Sequence, residues 1–156
     1  MTDLRRRYLT RSPEETGDLA RAIATRLQPG DTILLDGPVG AGKTHFARCL
    51  IQSLLDIPED VPSPTFTLVQ TYDTLGGEIW HADLYRLGHP EEVVELGLEQ
   101  AFDDAICLVE WPDRLGDLAP GDALRMTFAA QDDTARDILA EGPARWAGIL
   151  PRGDND

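Results

Sequence analysis

The chain has 156 residues, of which 42% are hydrophobic, and these values suit one soluble globular domain rather than a disordered or membrane protein. Its 28 acidic and 14 basic residues give a formal net charge of −14, so autonomous high-affinity binding of RNA or DNA is not expected. No apolar run approaches the roughly 18 residues that span a bilayer, and both cysteines lie in apolar segments, which predicts buried thiols and a cytoplasmic location.

In chain order, the spacing of apolar residues predicts a mixed α/β domain. The first helix begins with Ser12 as N-cap, Pro13 in the first helical position and Glu15 closing a capping box, and it ends at Pro29 and Gly30. The later predicted elements are a strand over 32–36, a helix over 44–55, a hairpin of strands over 67–72 and 78–83, helical material over 89–103 interrupted near 97, a strand over 105–110, a closing hairpin over 123–129 and 135–140, and a helical turn or two within 143–150. The segment over 135–140 is equally compatible with a helix. The predicted domain covers 1–150, and 151–156 is predicted to be a flexible tail.

The segment 37–44 fits the phosphate-binding pattern G-x-x-x-x-G-K-[ST] at every fixed position. Glycines let the backbone N–H groups of such a loop converge on an anion, and the N-terminus of the following helix adds its positive end. Lys43 reaches the β- and γ-phosphates, and Thr44 offers its hydroxyl to Mg²⁺. The candidate cradle residues before them are Gly37, Val39, Gly40, Ala41 and Gly42. The sequence therefore predicts a P-loop NTPase fold, with a mainly parallel central sheet, antiparallel additions and helices on both faces.

Lysine usage supports this interpretation. Thirteen of the 14 basic residues are arginine, and Lys43 is the only lysine. A compact ammonium suits a position between phosphate oxygens, where the planar guanidinium of arginine is not equivalent. A single lysine also excludes the Asn/Thr-Lys-x-Asp motif of guanine recognition, so the predicted nucleotide is ATP.

Two carboxylates are candidate metal and catalytic groups. The apolar run 106–109 ends in Glu110, the arrangement of a Walker B strand, where the carboxylate holds Mg²⁺ through water or polarises the attacking water. Asp83, at the end of another predicted strand, is a second candidate Mg²⁺ ligand. Lys43 and Glu110 are therefore the predicted catalytic residues, and the predicted metal ligands are Thr44, Asp83 and Glu110.

Two further residues are candidates for the nucleotide site, although the patterns around them are less specific than that of the phosphate-binding loop. Thr65 lies in the polar loop 63–67, where P-loop GTPases place a switch segment that senses the γ-phosphate. Trp111 follows Glu110 directly and is predicted either to lie near the nucleotide or to pack in the core. The histidines show no metal-ligand spacing with the cysteines, so no zinc site is predicted.

Taken together, these motifs resemble the TsaE family, also called YjeE, of small bacterial P-loop ATPases. The resemblance rests on the motifs at 37–44, on Ser63-Pro-Thr-Phe66 with Tyr72, on His81-x-Asp-x-Tyr-Arg86 and on Glu110-Trp-Pro112, in that order. It spans roughly residues 31–112, whereas 113–156 matches only loosely. One departure is His45, because the family usually has Thr or Ser there in contact with the α-phosphate.

The resemblance implies a role in making N6-threonylcarbamoyladenosine on tRNA. It implies weak ATP hydrolysis that is coupled to TsaB-type and TsaD-type partner proteins. The net charge gives no expectation of direct tRNA contact, and the short apolar runs give none of a membrane partner. By position the resemblance makes Asp83 a metal ligand, Glu110 a support of hydrolysis and Thr65 part of a switch-like loop, with Trp111 near the nucleotide. His45 either donates to the phosphate through its imidazole or loses that contact.

Two alternatives come from other functional classes. One is a small-molecule P-loop kinase, many of which have this size, although the arginines here are scattered and form no lid cluster. The other is a nucleotide-gated binding module without useful turnover. Transfer of phosphate to a metabolite distinguishes the kinase from an ATPase.

Overall fold

A computed structural model describes residues 3–64 and 67–154. Their helices and strands, in chain order, are β1 Leu4–Thr10, α1 Pro13–Ala24, β2 Thr32–Asp36, α2 Lys43–Leu54, β3 Val69–Thr74, β4 Gly77–Asp83, α3 Glu91–Leu96, α4 Leu98–Asp104, β5 Ile106–Glu110, β6 Leu124–Ala130 and β7 Arg136–Gly142. Two 3₁₀ helices cover Pro112–Leu118 and Ala144–Gly148. Ser12 caps α1 as predicted, since its hydroxyl accepts a hydrogen bond from the backbone N–H of Glu15 at 3.2 Å.

The strands form one sheet in the order β1-β7-β6-β2-β5-β4-β3. The four central strands β6, β2, β5 and β4 are mutually parallel, whereas β1, β7 and β3 pair antiparallel at the two sides. The predicted fold class, a mainly parallel sheet with antiparallel additions, is therefore confirmed. The segment over 135–140 is a strand and not a helix.

Helices cover both faces of this sheet, as the buried strands require. On β2, Ile33 and Leu35 join a core with α1 and α2, whereas Leu34 joins a second core with α3 and α4. The strand β5 alternates in the same way, since Leu108 faces the first core and Val109 the second. Because successive side chains of a strand point to opposite faces of the sheet, this alternation also decides which residues at the end of each strand face the start of α2.

Two elements were not predicted. The strand β1 carries three consecutive arginines, and its outward Arg5 and Arg7 pair with Glu141 and Asp137 of β7 at 3.3 and 3.2 Å. The second is the 3₁₀ helix Pro112–Leu118, which follows β5 directly. Cys107 is fully buried, but Cys49 is only half-buried, which corrects the prediction of two buried thiols.

Residues 151–154, which the sequence assigns to a flexible tail, make hydrogen bonds to β1. Pro151 accepts a hydrogen bond from the Tyr8 hydroxyl at 2.6 Å, and the backbone N–H of Asp154 donates to the Arg7 carbonyl at 2.8 Å. The Asp154 carboxylate also accepts from the Leu9 backbone N–H. Residues 151–154 thus lie along the outer edge of β1, because that edge has backbone groups to satisfy.

Among the helices in the part of the chain that the structure describes, none combines the length and the apolar character needed to cross a bilayer.

Candidate functional site

A cleft of about 670 Å³ opens at the carboxyl ends of the parallel strands β2, β4 and β5. This is the edge at which open α/β sheets bind ligands. The predicted site residues that line it are Val39, Gly40, Gly42, Lys43, Thr44, His45, Asp83, Glu110 and Trp111. Gly37 and Ala41 belong to the loop beneath, and Thr65 lies outside the described residues.

The loop between β2 and α2 has the backbone that its glycines permit. Gly37 has φ 132° and Gly42 has φ 104°, both in the region that side chains disfavour. A Cβ on Gly37 would lie 2.5 Å from the Phe128 carbonyl oxygen, so neighbouring β6 also excludes a side chain there. The N–H of Gly37 donates to the Asp36 carboxylate at 2.9 Å, and Arg125 pairs with the other oxygen of that carboxylate at 2.9 Å.

Lys43 is held at the floor of the cleft and is only 4% exposed. Its ammonium donates to the Gly37 carbonyl and lies 3.6 Å from the centre of the Trp111 ring, a cation–π contact. Burial lowers the pKa of Lys43 from its ordinary value, although Glu110 and Asp83 oppose that shift by their negative charge. A buried ammonium at the end of a glycine-rich loop and the start of a helix suits phosphate binding.

Trp111 adopts a strained backbone, with φ 62°. Its backbone N–H donates to the Leu35 carbonyl at 3.3 Å, and its ring contacts the Tyr85 ring at a centroid distance of 4.9 Å. The indole therefore lies on the Lys43 side of the cleft, between the end of β5 and the segment after β4. Trp111 borders the cleft and also packs against the second core, and its place near a nucleotide stays a prediction.

Glu110 stands at the centre of a chain of hydrogen bonds. Its Oε1 accepts from the Thr44 hydroxyl at 2.8 Å, and its Oε2 contacts Nε2 of His81 at 2.8 Å. Glu110 is 2% exposed and His81 is fully buried. The strands fix this arrangement, because Leu35 of β2 and Asp83 of β4 both lie opposite Glu110 in the sheet register.

Thr44, Asp83 and Glu110 together offer the hard oxygen donors that Mg²⁺ prefers. The Thr44 hydroxyl donates a hydrogen bond to Glu110, so the lone pairs of its oxygen remain suited to a cation. Asp83 borders the cleft and accepts from the Tyr85 backbone N–H at 3.1 Å. Across residues 3–64 and 67–154, no three His, Cys, Asp or Glu side chains form a metal-binding group by themselves. The donor set therefore fits a magnesium ion that takes its other ligands from water and phosphate.

His45 links α2 to the start of α1. Its Nε2 donates to the Pro13 carbonyl at 2.9 Å and lies 3.7 Å from the Cys49 sulfur. The imidazole still lines the cleft, as Pro13 and Thr16 do. A phosphate contact from His45 remains a prediction.

The far wall of the cleft comes from residues that were not predicted. Thr134 and Arg136, at the turn between β6 and β7, line the cleft. The Arg136 guanidinium donates to the Gly40 carbonyl at 3.3 Å, and its side chain lies 3.6 to 3.9 Å from the position of a Cβ on Gly42. The motif around 37–44 gives no signal for this contact, because Arg136 is 96 residues away along the chain.

The parallel sheet, the loop between β2 and α2 and the carboxylates at the neighbouring strand ends define a P-loop α/β protein. Comparison with known proteins narrows this class. The model of the family "Threonylcarbamoyl adenosine biosynthesis protein TsaE" matches residues 10–138. The chain belongs to this family, whose proteins act in tRNA threonylcarbamoyladenosine biosynthesis.

Individual proteins of known sequence or structure match this chain along most of their length. The chain is 40% identical over 136 residues to the tRNA threonylcarbamoyladenosine biosynthesis protein TsaE of Rickettsia bellii, covering 87% of this chain and 94% of that protein. It is 35% identical over 133 residues to TsaE of Bacillus subtilis, covering 85% and 82%. The crystal structure of Bacillus subtilis YdiB superposes with a TM-score of 0.78 at 30% identity, covering 96% of this chain and 93% of that one.

Proposed function

We propose that this protein binds ATP with Mg²⁺ and hydrolyses it slowly, as the nucleotide-dependent subunit of tRNA threonylcarbamoyladenosine synthesis. The observation that carries the proposal is the hydrogen bond from Thr44 to Glu110 beside the buried Lys43. It joins the first turn of α2 to the end of β5, as the P-loop and Walker B roles require. The membership of the TsaE family supports the pathway.

Each residue of the cleft has a role in this proposal. The main-chain N–H groups of the loop and the Lys43 ammonium bind the β- and γ-phosphates. Thr44 and Asp83 would hold Mg²⁺, which neutralises charge on the phosphate oxygens when it is bound. Glu110 orients Thr44 and would hold a metal-bound water or take a proton from the attacking water. Trp111 limits water access to Lys43 from one side, since its ring covers the ammonium.

The partners in this proposal are TsaB-type and TsaD-type proteins, through which ATP turnover acts on the modification reaction. The net charge of −14 supports an action through protein partners rather than through direct tRNA contact. Stimulation of the ATPase by those partners is the expected consequence.

Calorimetry and phosphate release test the proposal. We expect ATP with Mg²⁺ to bind and to be hydrolysed slowly, and we expect Lys43→Ala to abolish binding because the cradle loses its ammonium. Glu110→Gln should keep the affinity within about threefold and lower turnover at least about a hundredfold, as for loss of a catalytic acid–base group. The control is Arg26→Ala, since Arg26 donates to the Gly148 carbonyl at an exposed position outside the cleft lining.

Adding TsaB-type and TsaD-type proteins should raise the turnover. No ATP binding by the wild type would refute the proposal. Rapid transfer of labelled γ-phosphate to a metabolite without partners would instead support a small-molecule kinase.

A further inference from the structure

His81 is a fully buried histidine whose imidazole contacts the proposed catalytic carboxylate. It lies on β4, two residues after Ile79, which packs in the first core, and two residues before Asp83. The alternation of β4 therefore turns His81 toward the same face as Glu110 and the first turn of α2. Its partner Glu110 lies on the neighbouring parallel strand β5.

The hydrogen bond between them has a defined direction. A carboxylate accepts hydrogen bonds and does not donate them, so Nε2 of His81 carries the proton and donates to Oε2 of Glu110 at 2.8 Å. The opposite ring nitrogen, Nδ1, is buried and has no hydrogen-bond partner within residues 3–64 and 67–154. A buried imidazole with one unsatisfied nitrogen lowers the stability of the fold. The hydrogen bond to Glu110 is therefore the polar interaction that explains a histidine at this position.

Each oxygen of the Glu110 carboxylate has one side-chain partner. Thr44 occupies Oε1 of Glu110, and the Lys43 ammonium nearby attracts a carboxylate, as the effect of the Glu110 charge on the pKa of Lys43 indicates. With His81 holding Oε2, the carboxyl plane is fixed at both oxygens. Without His81, the same carboxylate has a buried oxygen with no donor and a cation toward which it can rotate.

From this geometry we infer that His81 is a positioning residue for Glu110: its Nε2–H holds the carboxylate in the orientation that ATP hydrolysis needs. This inference rests on the proposed ATP hydrolysis. Partners that orient ligating or catalytic groups commonly contribute about 10- to 100-fold to activity, and we expect that range here.

Two variants of similar volume separate hydrogen bonding from packing. His81→Gln keeps an N–H donor near the position of Nε2, whereas His81→Met fills the space without a donor. We expect His81→Met to lower kcat for Mg-ATP about 10- to 100-fold while the ATP Kd stays within about threefold. His81→Gln should restore at least about a third of wild-type kcat. A purely structural histidine would instead lower stability and nucleotide binding together.

A double-mutant cycle with Glu110→Gln gives the decisive readout. Because His81 acts through Glu110, His81→Met should lower kcat by less than about twofold when Glu110 is already replaced. A drop of the same size in both backgrounds would overturn the inference, and so would wild-type kcat in His81→Met beside an active wild type. If the wild type binds and turns over no ATP, the proposed function itself fails, and this result is distinct because it appears before any substitution.

Discussion

At the scale of single residues, two glycines of the phosphate-binding loop differ in what excludes a side chain. Gly37 has a positive φ, and a Cβ there would also lie 2.5 Å from the Phe128 carbonyl oxygen. Gly40 has φ 82°, but a Cβ on Gly40 would meet no atom beyond its chain neighbours within 4 Å. We expect Gly37→Ala to lower the free energy of unfolding by about 3 kcal/mol or more, because strain and a backbone clash add. Gly40→Ala should cost only about 1 kcal/mol. Urea unfolding without nucleotide measures both, and equal losses would contradict the role of the Phe128 contact.

Cys107 supplies a second residue-scale prediction. Burial raises the pKa of the Cys107 thiol to about 12 from 9.0. Because the folded value lies above the unfolded one, the unfolded chain releases this proton first as pH rises, and folding loses stability above pH 9. We expect a loss of about 1.5 kcal/mol between pH 9 and 10.5 that is absent in Cys107→Ala.

Thiol labelling checks the same site at constant pH. At pH 8, native Cys49→Ser should resist a thiol reagent at least about a hundredfold more strongly than the unfolded chain, since Cys107 is fully buried. Rapid labelling of the native variant would show that Cys107 is accessible and would remove the basis for the raised pKa.

At the scale of elements, the hairpin of β6 and β7 supports the P-loop from the side opposite the carboxylates. Asp132 braces its turn by accepting from the backbone N–H groups of Thr134 and Ala135 at 2.9 and 2.8 Å. These bonds lower the pKa of Asp132. Arg136 extends from this braced turn to the Gly40 carbonyl, so the shape of the loop depends partly on a distant hairpin.

We therefore expect Arg136→Ala to weaken ATP binding about five- to tenfold, because the loop loses a hydrogen bond and a packed side chain. The unfolding free energy should change by less than about 1 kcal/mol, since the guanidinium is partly exposed. Calorimetry with ATP and Mg²⁺ measures the affinity, and Arg26→Ala is the matched control, because Arg26 also donates to a backbone carbonyl, that of Gly148, but outside the cleft. Equal affinities in the two variants would show that the hairpin does not support the site.

At the scale of the whole molecule, the two ends of the described chain meet on one edge of the sheet. Removal of residues 151–156 deletes the acceptor of the Tyr8 hydroxyl and the bonds between Asp154 and β1. We expect the unfolding free energy to fall by about 2 kcal/mol, at about 1 kcal/mol for each well-formed bond with partial compensation by water. ATP affinity should be unchanged, because within the described residues neither β1 nor the segment 151–154 lines the cleft.

Tyr8→Phe isolates one of these contacts and should lower stability by about 1 kcal/mol. If the truncated chain kept wild-type stability, the segment 151–154 would contribute nothing to the fold. If its ATP affinity fell tenfold, the edge strand would be coupled to the cleft.

The sequence alone determined the features that local signals specify. The strand over 32–36, the loop 37–44 and the helix after it follow from a short apolar run, a glycine pattern and helical spacing, and all of them concern neighbours along the chain. Glu110 and Asp83 could be assigned to one sheet edge because parallel strands end together. The edge strand β1 was not predicted, because its three consecutive arginines hide the alternation of outward and inward side chains. That alternation is visible only once β1 is paired with β7.

Only the tertiary structure decided which side chains meet. The contact of His81 with Glu110 spans 29 residues, that of Thr44 with Glu110 spans 66, and that of Arg136 with Gly40 spans 96. Each depends on strand order and register, and a shift of one residue would turn the side chain to the opposite face. Local spacing carries no information about such pairings, because packing of the sheet between its two helical layers selects them.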